Sequence, residues 1–207
     1  MAYLIGSDSS GNGNHWTANN LDQTDIVDDA PTENFCTFNP LHTSSNITLS
    51  NGNLRQEASG TNAWFSTGTT IGMSSGKWYA EYTPLRNTSG FKYWMIGVDT
   101  DMSTATLYYT GIDSSGYGYF ANNGQIYNNG AVGAYGVTYG VGDVVGIAFD
   151  ADNGTLTYYV NGASQGTAFS SMPDGTYFFV GSIHAANGDI RGEFNFGQQP
   201  FKYDPPS

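Results

Sequence analysis

The sequence is poor in charged residues, and above all in basic ones. Only 12% of the 207 residues are charged, and 6 Lys and Arg stand against 18 Asp and Glu, which gives a net charge of −12. A field of this sign repels phosphate backbones and anionic membranes. We therefore expect no nucleic-acid partner, and the solubility of a tyrosine-rich surface is the simplest explanation of the acidity.

Cysteine and long apolar runs are also scarce. Cys36 is the only cysteine, so the chain can form no internal disulfide, and a zinc site built on several thiolates is excluded. No apolar run approaches the roughly 20 residues of a membrane span. The N-terminus lacks the charged and then apolar segments of a secretory signal. We expect neither membrane insertion nor Sec-dependent export.

The residues that are abundant are those of strands and turns. The chain has 28 Gly and 15 Tyr, and aromatic residues make up 15% of it. Strong helix formers are few, whereas Tyr, Thr, Val, Asn and Gly are frequent. This composition predicts an all-β protein.

The clearest local pattern is a β-meander between Tyr139 and Phe169. Two strands, Val144–Asp150 and Thr155–Val160, are separated by an Asp-Asn-Gly turn, and Asn161-Gly162 then leads into a third strand. Asn-Gly is a strong hairpin signal, because both central residues of a type I′ turn need positive φ.

Further short strands are predicted at regular spacing on both sides of the meander. No helical stretch long enough for a parallel α/β fold separates them. About a dozen short strands with frequent turns are typical of a two-sheet antiparallel β-sandwich. The remaining strands are predicted at Ile47–Ser50, Leu54–Ala58, near Trp64, Lys77–Tyr82, Tyr93–Val98, Thr106–Tyr109, Tyr117–Phe120, Tyr177–Ser182 and Arg191–Phe196.

The N-terminal part of the chain differs from the rest. Residues 6–14 are rich in Gly, Ser and Asn, and residues 22–33 are acidic, so neither segment can form a core. We predict an extended docking arm over residues 1–45 and a sandwich domain over residues 46–207. The apolar anchors of the arm are predicted to be Ile26, Val27, Phe35, Phe38 and Leu41.

The side chains that could take part in catalysis or metal binding give only weak evidence of such a site. Glu81 and Glu193 fall in predicted strands, but the closely spaced acids of jelly-roll glucanases are missing. His15, His42 and His184 lack metal-ligand spacing. The acidic turn after Asp150 is explained as a turn more simply than as a calcium loop, although the sequence does not decide whether Ca²⁺ binds. We expect a protein that is not an enzyme, with no cofactor and no metal site.

Tyrosine-rich loops are the best candidates for a binding surface. Tyr108, Tyr109, Tyr127 and Tyr135 lie among Gly, Ser and Asn, a mixture that combines rigid contact area with adaptable hydrogen bonding. The alternative is that about half of the tyrosines of this region, such as Tyr117 and Tyr119, face the core on alternating strands.

From Gly76 onward the order of motifs resembles the SPRY domain family, whose fold is a concanavalin-like β-sandwich of jelly-roll type. The resemblance covers about two thirds of the chain. The motifs are GKWYAEY at Gly76–Tyr82, WMIGV at Trp94–Val98, GYGYF at Gly116–Phe120, YGVGDVVGIAFD at Tyr139–Asp150, GTLTYYVNG at Gly154–Gly162, GTAF at Gly166–Phe169 and FNFGQQPF at Phe194–Phe201.

The leader resembles segments that precede SPRY-like modules in structural proteins of tailed bacteriophages. The segments are Asp8–Asn20 and Asp28–Leu41. This resemblance implies a virion protein: a head-decoration, fibre or tail-associated subunit, present in several copies or as a homo-oligomer. Its partners would be capsid or tail proteins, with a host surface protein or glycan as a receptor. The alternative is a carbohydrate-binding module for host surface glycans.

Overall fold

Regular structure is concentrated in the larger of two units of the chain. The computed structural model describes residues 11–17, 19, 34–60, 62–101, 103, 108–186 and 188–206. The two units are Met1–Asn34 and Phe35–Ser207. The described residues of the first unit form neither strand nor helix, and the exposed Trp16 is one of them. Within the described ranges, no helix is long and apolar enough to cross a bilayer.

Fourteen strands are present in the described part of the second unit. Their bounds are β1 Phe38–Thr43, β2 Thr48–Ser50, β3 Arg55–Ala58, β4 Trp64–Thr69, β5 Lys77–Asn87, β6 Trp94–Asp99, β7 Gly116–Phe120, β8 Gln125–Tyr127, β9 Ala131–Ala134, β10 Val145–Asp150, β11 Thr155–Val160, β12 Ala163–Phe169, β13 Phe178–His184 and β14 Ile190–Asn195.

The strands form two seven-stranded antiparallel sheets. The first sheet has the order β1-β4-β13-β6-β7-β8-β9, and the second has the order β12-β11-β10-β5-β14-β3-β2. The predicted all-β sandwich is therefore confirmed. The predicted strand at Thr106–Tyr109 is not found in its described part, because Tyr108 and Tyr109 lie in the connection between β6 and β7.

The predicted meander forms three neighbouring strands of the second sheet. β10 pairs with β11 from Val145↔Val160 to Asp150↔Thr155, and β11 pairs with β12. Asn161 and Gly162 have φ of 52° and 80°, the left-handed values that a type I′ turn requires.

The core lies between the sheets and is unusually rich in tyrosine. Tyr82, Tyr119, Tyr139 and Tyr158 are completely buried. Their hydroxyl groups are paired: that of Tyr139 donates to the Tyr119 carbonyl at 2.8 Å, and that of Tyr82 accepts from the Gln56 amide at 3.0 Å. A buried hydroxyl without a partner would be costly, so these hydrogen bonds make a tyrosine core tolerable.

Tyr158 links the two sheets directly. It stands on β11, and its hydroxyl lies 3.2 Å from the carbonyl oxygens of Ile96 on β6 and Tyr117 on β7. Burial raises the pKa of Tyr158 well above its ordinary value, so the hydroxyl stays protonated and can donate at neutral pH.

Replacing Tyr158 by phenylalanine should therefore lower the free energy of unfolding by about 1–2 kcal/mol. The change removes the hydroxyl and keeps the ring, so the loss reports the hydrogen bonds to the first sheet. Urea unfolding followed by tryptophan fluorescence measures it. Tyr159→Phe, one residue along on the opposite and partly exposed face, is the matched control and should change stability by less than about 0.5 kcal/mol. Equal losses in both variants would contradict the role of this hydroxyl.

Candidate functional site

An aromatic patch lies on the face of the first sheet that points away from the core. Trp64 is at its centre, and its ring centroid lies 5.3 Å from Tyr109, 5.6 Å from Phe120 and 5.3 Å from His184. The aromatic patch consists of Trp64, Phe91, Tyr93, Tyr109, Phe120, Tyr127 and His184.

Side-chain alternation along the strands produces the patch. Phe65, Tyr119 and Ile183 are buried in the core, so the residues next to them face outward: Trp64, Phe120 and His184. Strand pairing then brings distant residues together, since Trp64 on β4 is directly opposite His184 on β13. Trp64, Phe120, Tyr127 and His184 thus stand on the sheet itself, and Phe91, Tyr93 and Tyr109 join them from the adjoining connections.

Several rings of the patch are stacked in a row. Phe91 and Tyr93 are stacked at 5.1 Å with an interplanar angle of 9°, and Tyr93 and Phe120 at 6.1 Å with an angle of 13°. Phe91 is 52% exposed, whereas the other rings of the patch are partly buried. The result is a largely preformed apolar surface with one edge open to solvent.

The patch carries no charged side chain at neutral pH. Its only titratable group besides the tyrosine hydroxyls is His184, and burial lowers the pKa of this imidazole. The Nδ1 atom of His184 is buried and has no hydrogen-bond partner among the described residues. A neutral histidine among aromatic rings suits contact with apolar and polar groups rather than with an anion.

A buried polar network lies under the loop that carries Tyr108 and Tyr109. Asp99, at the end of β6, is 2% exposed and accepts hydrogen bonds from Asp101 N at 2.9 Å and from the Ser115 hydroxyl at 2.8 Å. The Thr110 hydroxyl lies 3.3 Å from the second carboxylate oxygen. Burial is the main cause that raises the pKa of Asp99 to about 6, against the effect of these hydrogen bonds.

The four tyrosines predicted to form a binding surface occupy two different places. Tyr109 and Tyr127 meet in the aromatic patch, with centroids 5.9 Å apart, and Tyr108 precedes Tyr109 and is 54% exposed. Tyr135 packs instead against Tyr119 and Tyr158 at the rim of the core, and its hydroxyl donates to the carbonyl of Gly166. Tyr117 and Tyr119 face the core.

The predicted arm anchors are also separated by the structure. Ile26 and Val27 lie outside the described residues. Phe38 is fully buried on β1, 5.3 Å from Phe194, and so belongs to the core of its own sandwich. Phe35 is partly buried, and Leu41 is 89% exposed. The sandwich unit begins at Phe35, ahead of the predicted boundary at residue 46.

The carboxylates considered for hydrolysis are both engaged in structural bonds. Glu81 is buried and accepts the backbone N–H groups of Lys202 at 2.7 Å and Tyr203 at 2.9 Å. Glu193, on the same outer face of the second sheet, pairs with Arg55 at 2.6 Å. No group of three or more His, Cys, Asp or Glu in the described ranges could hold a metal ion.

The acidic segment considered for calcium has the hydrogen bonds of a turn. The backbone N–H of Asn153 donates to Asp150 at 3.0 Å, and its side-chain amide donates to the same carboxylate at 2.9 Å. Asp152 accepts the backbone N–H of Gly76 at 2.8 Å. These carboxylates already serve the turn between β10 and β11.

The raised pKa of Asp99 predicts a pH-dependent effect of Asp99→Asn. Since the pKa rises from 3.8 to about 6 on folding, the contribution of Asp99 to stability is full below pH 3.8 and is lost as the pH rises through 6. The asparagine amide can donate to Thr110, whose hydroxyl also lies 3.3 Å from the Val98 carbonyl. The variant should therefore be more stable than the wild type at pH 8, by up to about 3 kcal/mol.

Urea unfolding at pH 4 and pH 8, at constant ionic strength, measures this effect. The advantage of the variant should shrink toward pH 4, where Asp99 is protonated in the folded wild type and, close to its pKa of 3.8, only partly ionised in the unfolded chain. A stability difference that is the same at both values would show that the buried carboxyl does not titrate as described.

Comparison with known proteins identifies several relatives among animal Ran-binding proteins. The chain is 39% identical over 95 residues to "Ran-binding protein 10" of Danio rerio and 36% identical over 95 residues to "Ran-binding proteins 9/10 homolog" of Drosophila melanogaster. Each match covers 45% of this chain but only 15% and 10% of the relative. Human "Ran-binding protein 9" is 37% identical over 95 residues, which cover 13% of its length. The chain thus spans a small part of these relatives.

These relatives overturn the prediction of a bacteriophage virion protein. A head-decoration, fibre or tail subunit, virion partners and a virion location are all wrong, because the relatives are Ran-binding proteins of animals. The alternative, a carbohydrate-binding module for host surface glycans, is contradicted as well, because it also assumed a virion protein. The prediction rested on the resemblance of two leader segments, Asp8–Asn20 and Asp28–Leu41. The motifs of the sandwich, which are constrained by packing, predicted the family correctly.

The resemblance to the SPRY family is confirmed by two comparisons. The SPRY domain of human HERC1 has a TM-score of 0.68, with 17% identity, over 78% of this chain and 99% of that chain, which shows the fold. A sequence model of the SPRY domain matches residues 77–199, more than half of the chain. The chain therefore belongs to the SPRY domain family.

Proposed function

We propose that this chain is a non-enzymatic protein-interaction domain that binds an extended segment of a partner protein on the aromatic patch. The observation that carries the proposal is the patch itself: an uncharged, continuous set of aromatic rings on the outer face of the first sheet, open to solvent at Phe91. Aromatic side chains dominate the energy of protein interfaces when they are fixed in place before binding.

Preorganisation favours binding at this surface. Trp64 and Phe120 stand on strands, and Tyr93 is held between Phe91 and Phe120 by stacking. Rings that are already ordered lose little conformational freedom when a partner binds, so more of the contact energy remains as affinity. Glycine-rich loops would lose more conformational entropy when a partner binds.

The relatives support a protein as the ligand. Their names describe them as binding Ran, and they share 36% to 39% identity with this chain over 95 residues. Because the chain covers only a small part of each relative, Ran itself is a first partner to test and not an assignment. A non-enzymatic role is supported by Glu81 and Glu193, which are occupied by the backbone of Lys202 and Tyr203 and by Arg55.

Phe91→Ala and Trp64→Ala test the proposed surface. Peptides selected from a random-peptide display library on the wild-type chain, and purified Ran, serve as the probes. Phe91→Ala should weaken binding roughly tenfold, and Trp64→Ala should weaken it roughly a hundredfold, because Trp64 contacts most of the patch. Isothermal titration calorimetry measures the affinities.

Tyr159→Ala, on the outer face of the second sheet, is the matched control and should bind as the wild type does. Thermal unfolding of each variant shows whether weaker binding comes from the loss of contacts at the patch or from the loss of the folded structure. Phe91 is more than half exposed, so its replacement should leave the fold intact even if Trp64→Ala does not. Folded Phe91→Ala and Trp64→Ala proteins that bind every probe with wild-type affinity would disprove the proposed site.

A further inference from the structure

Asp99 stands where the connection between β6 and β7 leaves the first sheet and returns to it. It is the last residue of β6 and is paired directly with Gly116, the first residue of β7. The space beside it is closed, since a Cβ atom on Gly116 would come within 2.4 Å of the Asp99 carboxylate. Asp99 is therefore fixed at the base of the connection that carries Tyr108 and Tyr109.

The carboxylate of Asp99 bonds to both limbs of this connection. On the outgoing limb it accepts the backbone N–H of Asp101 at 2.9 Å. On the returning limb it accepts the Ser115 hydroxyl at 2.8 Å and lies 3.3 Å from the Thr110 hydroxyl. One buried side chain thus holds together parts of the loop that are far apart in sequence.

A second set of polar contacts joins the same loop to the sheet. The backbone N–H of Thr110 donates to the Ser182 hydroxyl at 3.1 Å. The Ser66 hydroxyl lies 2.7 Å from that of Ser182 and donates to the carbonyl of Tyr108. Tyr109 is therefore held between two fixed neighbours, which places its ring against Trp64.

We propose that Asp99 is a positioning residue for the aromatic patch: it holds the Tyr108–Thr110 segment in the place where Tyr109 packs against Trp64, and so sets the affinity for the partner. This inference rests on the proposed function. Asp99 itself does not touch the partner, because it is 2% exposed. It acts through Thr110 and Ser115.

The chemistry of the position favours this role over simple packing. A carboxylate offers two oxygen atoms to donors from different directions, which an apolar side chain of the same size cannot do. The buried charge also carries a desolvation cost at neutral pH, since burial raises the pKa of Asp99 to about 6. Residues that lower stability in this way are expected mainly at functional positions.

Three variants test the proposal: Asp99→Ala, Asp99→Asn and the control Asp143→Ala. Asp143 accepts the Gly140 N–H at 2.8 Å and the Asn161 amide at 2.8 Å, so the control removes a similar set of bonds from another loop. Amide hydrogen exchange is measured by mass spectrometry for residues 108–116 and for β10 and β11. Affinity is measured for the peptides selected on the wild type.

Asp99→Ala should speed amide exchange in residues 108–116 at least tenfold and leave β10 and β11 unchanged. Its affinity for the selected peptides should fall roughly tenfold. Asp99→Asn should restore both the slow exchange and the affinity, because an amide can keep the bonds to Asp101, Ser115 and Thr110. Asp143→Ala should change neither.

The proposal is overturned if exchange in residues 108–116 stays slow in Asp99→Ala, or if faster exchange extends equally through β10 and β11. It is also overturned if Asp99→Ala binds the peptides with wild-type affinity while Trp64→Ala does not. If Trp64→Ala and Phe91→Ala also bind normally, the proposed function is at fault, and the exchange data alone decide whether Asp99 positions the loop.

Discussion

The alternation of side chains on the first sheet ties the core and the aromatic patch together. On β4, β7 and β13, a core residue is followed or preceded by a patch residue, as in Phe65 and Trp64, Tyr119 and Phe120, and Ile183 and His184. A strand cannot shift by one residue without exchanging the two sets. The packing that stabilises the sandwich therefore also fixes the positions of the patch rings that stand on these strands, whereas Tyr109 depends on the polar contacts of its loop.

Local signals predicted much of this fold. Asn-Gly turns and β-branched runs indicated the strands of the meander, and their pairing follows from chain order. β1 lies within the predicted arm, which was inferred from the composition of residues 6–14 and 22–33, and its place beside β4 depends on a contact with a distant strand. Tyr108 and Tyr109 look like a strand but lie in a loop, where Ser66 and Ser182 provide the hydrogen bonds that a neighbouring strand would have provided.

The site was predicted only in part for a similar reason. Tyr109 and Tyr127 stood out because they lie in a tyrosine-rich stretch of the chain. Trp64 and His184 did not, since residues 120 positions apart meet only through the β4–β13 register. The alternation of Trp64 with Phe65 was a usable sign of an outward-facing aromatic, but only once the strand order was known. Asp99 resembled an ordinary residue at the end of a strand, and its burial depends on how the following loop folds back over it.

The two outer faces of the sandwich differ in a way that favours the first sheet as the binding surface. On the second sheet, Arg55–Glu193 and Arg191–Glu57 ion pairs occupy part of the outer face. Phe201 and the backbone beyond it cover another part, with the Phe201 ring 4.9 Å from Tyr79. A partner binding there would have to displace the chain's own C-terminal segment and desolvate charges, both of which cost free energy. On the first sheet the corresponding surface is uncharged and already ordered, so a partner can bury aromatic rings without breaking existing bonds.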